Sequence, residues 1–235
     1  MKSNKQLENE LKSMESAWLG GFGYRDCKKR KNLLNDKQLV ERIINESITP
    51  YINEETSALE IGCGSGFWTH YLLGAKKIYC FDAKSADSNN FYVFFKKQTN
   101  IEYTHVKDFS CSSVPDNSLQ YVFSFNVFCH ISYSGVDAYL KNLYGKLQNG
   151  ANCFIHILDI DKNYDPTRVE VILKKSGIPD ETTFRQDFDG EANKAGKMFY
   201  YGKKRFIDLL DKYQYKVLDE DAAKHESDWI IHFTK

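Results

Sequence analysis

The residues with the clearest chemical potential lie around three alternating glycines. Glu60 is followed by Gly62, Gly64 and Gly66, an apolar run precedes them, and a helical pattern resumes near Tyr71. This order predicts a strand, a tight turn and a helix. Glycines allow backbone conformations that other residues avoid, and they lack the Cβ atoms that would hold a ligand away. Because a helix N-terminus also offers free N–H groups, the stretch is typical of a nucleotide-binding turn.

The acid and the third glycine separate this turn from that of dinucleotide enzymes. The dinucleotide pattern G-x-G-x-x-G needs glycine at position 67, where this chain has Phe67, and the third glycine falls instead at Gly66. Glu60 would repel a pyrophosphate but could hold the ammonium of an amino-acid moiety, directly or through water. The glycine pattern alone is weak evidence, since a turn that binds no ligand can carry it.

In these residues the chain resembles the class I S-adenosylmethionine-dependent methyltransferases, whose first motif is an acid followed by G-x-G-x-G. Three further matches follow at the ends of predicted strands, namely Asp82, Asp108 and His130. The resemblance implies that Asp82 accepts both ribose hydroxyls and that Asp108 accepts a hydrogen bond from the adenine amino group. The backbone N–H of Phe109 would face the adenine ring. Without a ligand, Asp82 would be a helix N-cap and Asp108 a plain turn residue.

The cofactor that the resemblance implies is S-adenosylmethionine, with S-adenosylhomocysteine as product. It assigns to the cofactor site the motif residues and their neighbours: Glu60, Gly62, Cys63, Gly64, Gly66, Trp68, Asp82, Ala83, Asp108, Phe109 and Asn126. The alternating apolar runs and the resemblance together predict a Rossmann-like α/β fold. We expect a seven-stranded, mostly parallel sheet with helices on both faces and a C-terminal antiparallel hairpin.

Several helices are predicted around this sheet. They are the helix after the glycine turn, a helix from Asp36 to Thr49-Pro50, one over Asp87–Lys97, and one over Val136–Leu147 that stops at Asn149-Gly150. We predict a single domain over residues 1–235. It comprises an N-terminal lid (1–35), a core (36–160 and 204–235) and a substrate cap (161–203), because a long irregular connection within a compact domain is usually functional.

Methyl transfer from a sulfonium is an in-line displacement, in which the protein aligns the nucleophile and removes its proton. His130 is the first candidate base, because imidazole titrates near neutral pH, and Tyr24 is the second. His130 could instead cap the next helix or bond within the core. No catalytic metal is expected, because Asn126 replaces the acid that metal-dependent relatives carry, although Asp159 and Asp161 could supply part of such a site.

The predicted lid and cap are rich in tyrosine and in cationic residues. Candidate substrate-binding residues are Tyr24, Arg25, Tyr200, Tyr201 and Lys203. They favour a small anionic acceptor, such as a sugar nucleotide, a sugar phosphate or an amino-alcohol phosphate, methylated on oxygen or nitrogen. The alternatives are a protein or RNA methyltransferase and a protein that binds S-adenosylmethionine without catalysis.

The composition limits the classes of partner. Lys plus Arg and Asp plus Glu both number 32 in 235 residues, so no global basic field favours nucleic acid or an anionic membrane. The six cysteines form no C-x-x-C pair and indicate a reducing compartment. No run reaches the roughly 18 apolar residues of a membrane span. We therefore expect a soluble, cytoplasmic protein, with which a homodimer is compatible.

Overall fold

The computed structural model describes residues 1–17, 37–162, 164–176, 179–186 and 198–235. These residues contain a seven-stranded sheet with the spatial order β3-β2-β1-β4-β5-β7-β6. Its strands are β1 (Ser57–Ile61), β2 (Lys77–Asp82), β3 (Ile101–His105), β4 (Leu119–Ser124), β5 (Leu147–Ile157), β6 (Lys216–Asp219) and β7 (Trp229–Thr234). The predicted α/β sheet is confirmed.

The first five strands pair in parallel, and β7 is antiparallel to both β5 and β6. The C-terminal hairpin is therefore present, and β7 lies inside the sheet while β6 forms its edge. The sequences of the two strands explain this order. In β7, Ile230 and Ile231 are buried on opposite faces, whereas Leu218 of β6 is 47% exposed. A short strand with charged ends suits an edge, where further pairing must be avoided.

Helices cover both faces of the sheet, as predicted. They are α1 (Asn4–Ala17), α2 (Lys37–Arg42), α3 (Tyr92–Phe95), α4 (Tyr133–Tyr144), α5 (Pro166–Ser176), α6 (Glu181–Gln186) and α7 (Gly202–Lys212). One face packs on α1, α4 and α7, and the other packs on the segment that continues α2 as a π-helical turn (Ile43–Ile48) and a 3₁₀ turn (Thr49–Tyr51). The predicted helix before β1 is thus confirmed up to Pro50, while its proposed cap Asp36 lies outside the described residues.

The helix predicted after the glycine turn is wrong in extent. Only a 3₁₀ turn, Thr69–Leu72, forms there. The reason is the length of the connection, because β1 ends at Ile61, β2 begins at Lys77, and the glycine turn uses much of what lies between. The predicted helix over Asp87–Lys97 is likewise confined to α3, since Asn90 has a left-handed backbone (φ 51°) that interrupts it.

The end predicted for α4 is also wrong. The helix starts at Tyr133, where the Oγ of Ser132 accepts a hydrogen bond from Gly135 N, and it ends at Tyr144. Asn149-Gly150 lies within β5, at an irregularity in the pairing with β4. Gly150 has a φ of 78°, a value that suits a bulge as well as a helix stop. The local sequence therefore does not distinguish the two.

The N-terminal helix α1 is held against the start of α4. Leu7 and Leu11 of α1 are buried in the core on the face of the sheet that α4 and α7 also cover. Glu10 accepts hydrogen bonds from the backbone N of Ser132 (2.7 Å) and from its Oγ (2.6 Å), and Lys2 Nζ lies 2.9 Å from the same carboxylate. A carboxylate at a helix N-terminus accepts hydrogen bonds from free N–H groups and interacts favourably with the positive end of the helix dipole. This contact connects the predicted lid to the core.

Among the described residues, no helix is long and apolar enough to cross a bilayer. The five described cysteines (Cys63, Cys80, Cys111, Cys129 and Cys153) are free and buried, as small core residues are.

Candidate cofactor and acceptor site

The three glycines of the turn have different functions. All have positive φ values, 78° at Gly62, 53° at Gly64 and 93° at Gly66. A Cβ atom would lie 2.0 Å from Val127 Cγ2 at Gly62 and 2.1 Å from Phe95 Cε2 at Gly66, whereas at Gly64 no atom lies within 4 Å. The outer glycines are therefore required by packing. Gly64 faces open space, which is the property that a ligand approaching the backbone needs.

Backbone hydrogen bonds join the glycine turn to the end of β2. The N–H groups of Gly62 and Cys63 both donate to Phe81 O, at 2.7 and 3.1 Å. Gly64 N donates to Asp82 Oδ2 at 2.8 Å, and Lys84 N donates to Asp82 Oδ1 at the same distance. A carboxylate has about four acceptor positions, so Asp82 retains capacity for further donors such as ribose hydroxyls.

Glu60 is a buried carboxyl group at the end of β1 with one oxygen satisfied. Thr69 Oγ1 donates to its Oε2 at 2.5 Å, while Oε1 has no partner in the described part of the chain. Burial raises the pKa of Glu60 to about 8, with the charge of Asp82 adding to the rise and the Thr69 hydroxyl opposing it. An unsatisfied buried oxygen indicates a missing donor. The ammonium of an amino-acid moiety fits that requirement.

The acids that follow β2 and β3 reach the same edge of the sheet, because these strands are parallel neighbours. Asp108 is exposed, and its Oδ1 accepts a hydrogen bond from Ser110 N at 2.8 Å. Phe109 is buried and packs against Tyr139, with ring centroids 4.8 Å apart. Ala83, next to Asp82, is half-buried. These placements are compatible with the cofactor roles that the resemblance implies.

Besides Phe109, two of the predicted cofactor residues belong to the hydrophobic core. Trp68 is buried against Phe123 and Phe125, with ring centroids 5.4 and 5.3 Å apart. Cys63 is 4% exposed, and burial raises the pKa of its thiol well above the usual value. The side chains of both residues support the turn from within the protein, so any contact with a cofactor at Cys63 would involve its backbone.

The segment Met198–Tyr201 packs onto the 3₁₀ turn that ends at His130. Phe199 N donates to Cys129 O at 2.7 Å, and the Tyr201 hydroxyl donates to Phe128 O at 3.1 Å. This contact brings the end of the predicted cap next to the candidate base. Tyr201 itself is 1% exposed and satisfied by the backbone, so its predicted substrate role is not supported. It is a structural residue that anchors the segment.

The remaining predicted substrate and cofactor residues lie in different environments. Tyr200 is half-buried and packs against Ile160 and Val169. Lys203 Nζ pairs with Glu220 at 2.7 Å and lies 4.0 Å from the ring centre of Trp229, so its charge is already balanced and its substrate role is not supported. Asn126 is exposed beyond β4, with a φ of 58°. Tyr24 and Arg25 lie outside the described residues.

One notable side chain was not singled out from the sequence. His156 lies near the carboxyl end of β5, is 1% exposed, and has its ring centre 4.5 Å from that of Phe125. Neither ring nitrogen has a hydrogen-bond partner among the described residues. Burial, aided by the neighbouring His225 and His130, holds the pKa of His156 well below its usual value. In the sequence, His156 stands out only as a single histidine within an apolar strand, and this is weak evidence for a functional residue.

A parallel sheet whose carboxyl edge carries a glycine turn, a buried acid and two further acids is typical of nucleotide-binding α/β folds. The family described as “Methyltransferase domain” matches residues 58–150, the part of the chain that holds these groups. The motif and its geometry agree with this match, and in this part the chain is similar to the class I S-adenosylmethionine-dependent methyltransferases. A search of curated protein sequences finds no match.

Solved structures share the fold. The 1,6-didemethyltoxoflavin-N1-methyltransferase of Burkholderia thailandensis, with bound 1,6-didemethyltoxoflavin and S-adenosylhomocysteine, matches 100% of this chain and 90% of its own at 11% identity and a TM-score of 0.63. The complex of DhpI with S-adenosylhomocysteine matches 98% of each chain at 12% identity and a TM-score of 0.61. A methyltransferase from Methanosarcina mazei matches 80% of this chain and 96% of its own at 16% identity and a TM-score of 0.59. At these identities the likeness concerns the fold.

Proposed function

We propose that the protein methylates an oxygen or nitrogen atom of a small polar metabolite. The narrower proposal is an acceptor that bears a phosphate, such as a sugar nucleotide, a sugar phosphate or an amino-alcohol phosphate. The cofactor supplies an activated methyl group on a sulfonium. The chain holds the cofactor, positions the acceptor and receives its proton. The observation that carries the proposal is the packing of Met198–Tyr201 beside His130.

Three groups support cofactor binding at the glycine turn. Gly64 leaves the backbone open to a ligand, the Oε1 of Glu60 has no donor, and Asp82 has spare acceptor capacity. These lie on adjacent parallel strands, and ligands of open α/β sheets bind at the carboxyl ends of such strands. We therefore assign the amino-acid moiety to Glu60 and the ribose to Asp82. Asp108 and the backbone at Phe109 would then face the adenine.

Support for a small acceptor comes from the connection between the cap and the core. The segment that packs on the turn Phe128–His130 follows the long insertion between β5 and α7, and we propose this insertion as the cover of the acceptor site. The 1,6-didemethyltoxoflavin bound to the Burkholderia enzyme is a small molecule, and that enzyme matches 100% of the present chain. Such a cover suits a metabolite better than a large polymer.

The phosphate in the narrower proposal has less support. Lys203 and Lys204 pair with Glu220 and Asp208, at 2.7 and 2.9 Å, so neither offers an uncompensated charge. Burial raises the pKa of the half-buried Tyr200, and the charge of the nearby Arg168 opposes that rise. Arg168 is also paired, with its Nη2 3.6 Å from Asp228 Oδ1, so the phosphate proposal rests on Tyr24 and Arg25. Tyr24 and Arg25 stay predicted substrate residues.

A screen of acceptors tests this proposal. The protein is incubated with S-adenosylmethionine and matched pairs of metabolites that differ only in a phosphate, and release of S-adenosylhomocysteine is measured. We expect turnover with a small acceptor and a higher kcat/KM for its phosphorylated form. Turnover only with protein or RNA would reject the small acceptor, and cofactor binding without any turnover would favour a non-catalytic binding protein.

His130 is the residue proposed to receive the acceptor proton. His130→Ala should lower kcat about 10²–10⁴-fold, the usual value of a positioned general base, and leave cofactor affinity nearly constant. With an alcohol acceptor, the rise of kcat/KM with pH should also be lost. The measurement is steady-state kinetics over a range of pH, with calorimetry for the cofactor. A variant that keeps the wild-type kcat would exclude His130, and Tyr24 and Tyr200 would be the next candidates.

A further inference from the structure

A cluster of side chains that could bind a metal ion lies near the carboxyl end of β5. It consists of His156, His225 and Asp228, and one potential ligand atom from each lies within 4.8 Å of the others. His156 belongs to β5, whereas His225 and Asp228 belong to the loop between β6 and β7. The antiparallel insertion of β7 next to β5 brings these distant parts of the chain together, with His156 paired to Ile230.

The unsatisfied ring nitrogens of His156 indicate that this cluster binds an additional group. Its side chain is 1% exposed, and neither Nδ1 nor Nε2 has a hydrogen-bond partner among the described residues. Buried polar groups are nearly always satisfied, because leaving one without a partner is costly. Phe125 and His225 pack against the ring, at centroid distances of 4.5 and 5.1 Å. An occupant must therefore be small.

The carboxylate of Asp228 is held in place by its surroundings. It is 6% exposed, its Oδ2 accepts a hydrogen bond from Ser227 Oγ at 2.9 Å, and its Oδ1 accepts one from Asp159 N at 3.3 Å. Arg168 Nη2 lies 3.6 Å from the same oxygen. Hydrogen bonds of this kind orient metal-ligating carboxylates, although Arg168 would compete with a cation for the charge.

We propose that His156, His225 and Asp228 bind one divalent transition-metal ion of the zinc type. Two imidazoles and one carboxylate form a ligand set that zinc and similar ions accept, with room for an outside ligand. A single ion satisfies His156 without the cavity that an organic molecule needs. This proposal goes beyond the methyltransferase activity and replaces the expectation, from the sequence, that the chain binds no metal.

His225 is the ligand that must rearrange. Its Nδ1 accepts hydrogen bonds from Ser227 N (3.3 Å) and Asp228 N (3.0 Å), and it lies 3.9 Å from Asp228 Oδ2. A metal-bound imidazole usually donates an N–H from its second ring nitrogen. In this structure Nδ1 of His225 instead accepts hydrogen bonds from two backbone N–H groups, so it neither is free to bind an ion nor carries that proton. The Ser227-Asp228 turn must therefore move when the ion binds. Lys162, paired with Asp221 at 2.7 Å, is close enough to add a repulsive charge.

Metal titration tests the proposal without cofactor or acceptor, so its result does not depend on the proposed function. The full chain is treated with a chelator and titrated with Zn²⁺ in a calorimeter and with Co²⁺ in an absorption spectrometer. We expect one equivalent to bind. His156→Leu and Asp228→Asn should each lower the affinity at least about tenfold, since even residues that only orient ligands have effects of about 10–100-fold.

The matched control is His232→Asn. His232 is a half-buried histidine of β7 that stacks on Phe154 and bonds to Asn152, outside the cluster, so this change should leave metal affinity unaltered. Binding that persists unchanged in His156→Leu, or absence of binding in the wild type, would overturn the proposal. Circular dichroism checks that each variant folds. If His156→Leu does not fold, the metal affinity of Asp228→Asn alone tests the proposal.

Discussion

Gly64 is the glycine of the turn at which a Cβ atom would meet no other atom of the protein, which suits the proposed cofactor site. Its φ is 53° and no atom lies within 4 Å of a built Cβ, so Gly64→Val should strain the backbone and occupy the ligand's path. We expect the variant to lose S-adenosylhomocysteine binding, as measured by calorimetry, while it remains folded.

Gly150 offers a matched control for this change. It also has a positive φ, 78°, and open space around its Cβ position, but it lies in the irregular part of β5 far from the glycine turn in sequence. Gly150→Val should impose a similar backbone strain without affecting ligand affinity. Equal affinities for both variants and the wild type would show that the glycine turn is not the cofactor site.

At the level of the elements, the carboxylate of Glu10 connects α1 to the start of α4. Glu10 satisfies both the backbone N–H and the hydroxyl of Ser132 at the N-terminus of α4. Glu10→Ala should lower the free energy of unfolding by about 1–2 kcal/mol, the usual effect of losing a helix cap. Chemical denaturation measures this quantity.

Glu8→Ala is the control on the same helix. Glu8 is exposed, so its loss should change the free energy of unfolding by less than about 0.5 kcal/mol. If both variants lose the same stability, helix propensity and not the contact with Ser132 would explain the effect. The result also shows whether α1 is part of the core, since Leu7 and Leu11 are buried with it.

For the molecule as a whole, Glu60 connects stability to pH. Its ordinary pKa of 4.5 is raised to about 8 by burial in the folded protein. Between these values the unfolded chain has an ionised Glu60 while the folded chain retains the proton. The folded state then binds more protons, so the free energy of unfolding should fall as the pH rises from about 4.5 to about 8.

Glu60→Gln removes this titration. Without cofactor, the variant should show a flatter dependence of stability on pH and should gain on the wild type most at pH values near 8. Thermal or chemical unfolding over this pH range provides the test. Identical pH profiles for the two proteins would mean that Glu60 is ionised in the folded state. Weaker S-adenosylmethionine binding by the variant would further support Glu60 as the partner of the ammonium.

The sequence by itself determined the parallel core and the position of the glycine turn. These features depend on local patterns, namely apolar runs that end in acids at Glu60, Asp82 and Asp108, and glycines that allow positive φ. The same reasoning identified the C-terminal hairpin, because two short strands follow each other without a helix between them. Such signals lie within a few residues of the structure that they specify.

Only the tertiary structure decided which side chains are accessible to a ligand. Trp68 and Tyr201 are buried, and Lys203 is paired with Glu220, although their residue types suggested ligand contacts. The cluster of His156 with His225 and Asp228 depends on the insertion of β7 beside β5, which joins segments far apart in the chain. Burial and pairing are set by partners distant in sequence, and a local pattern contains no information about them.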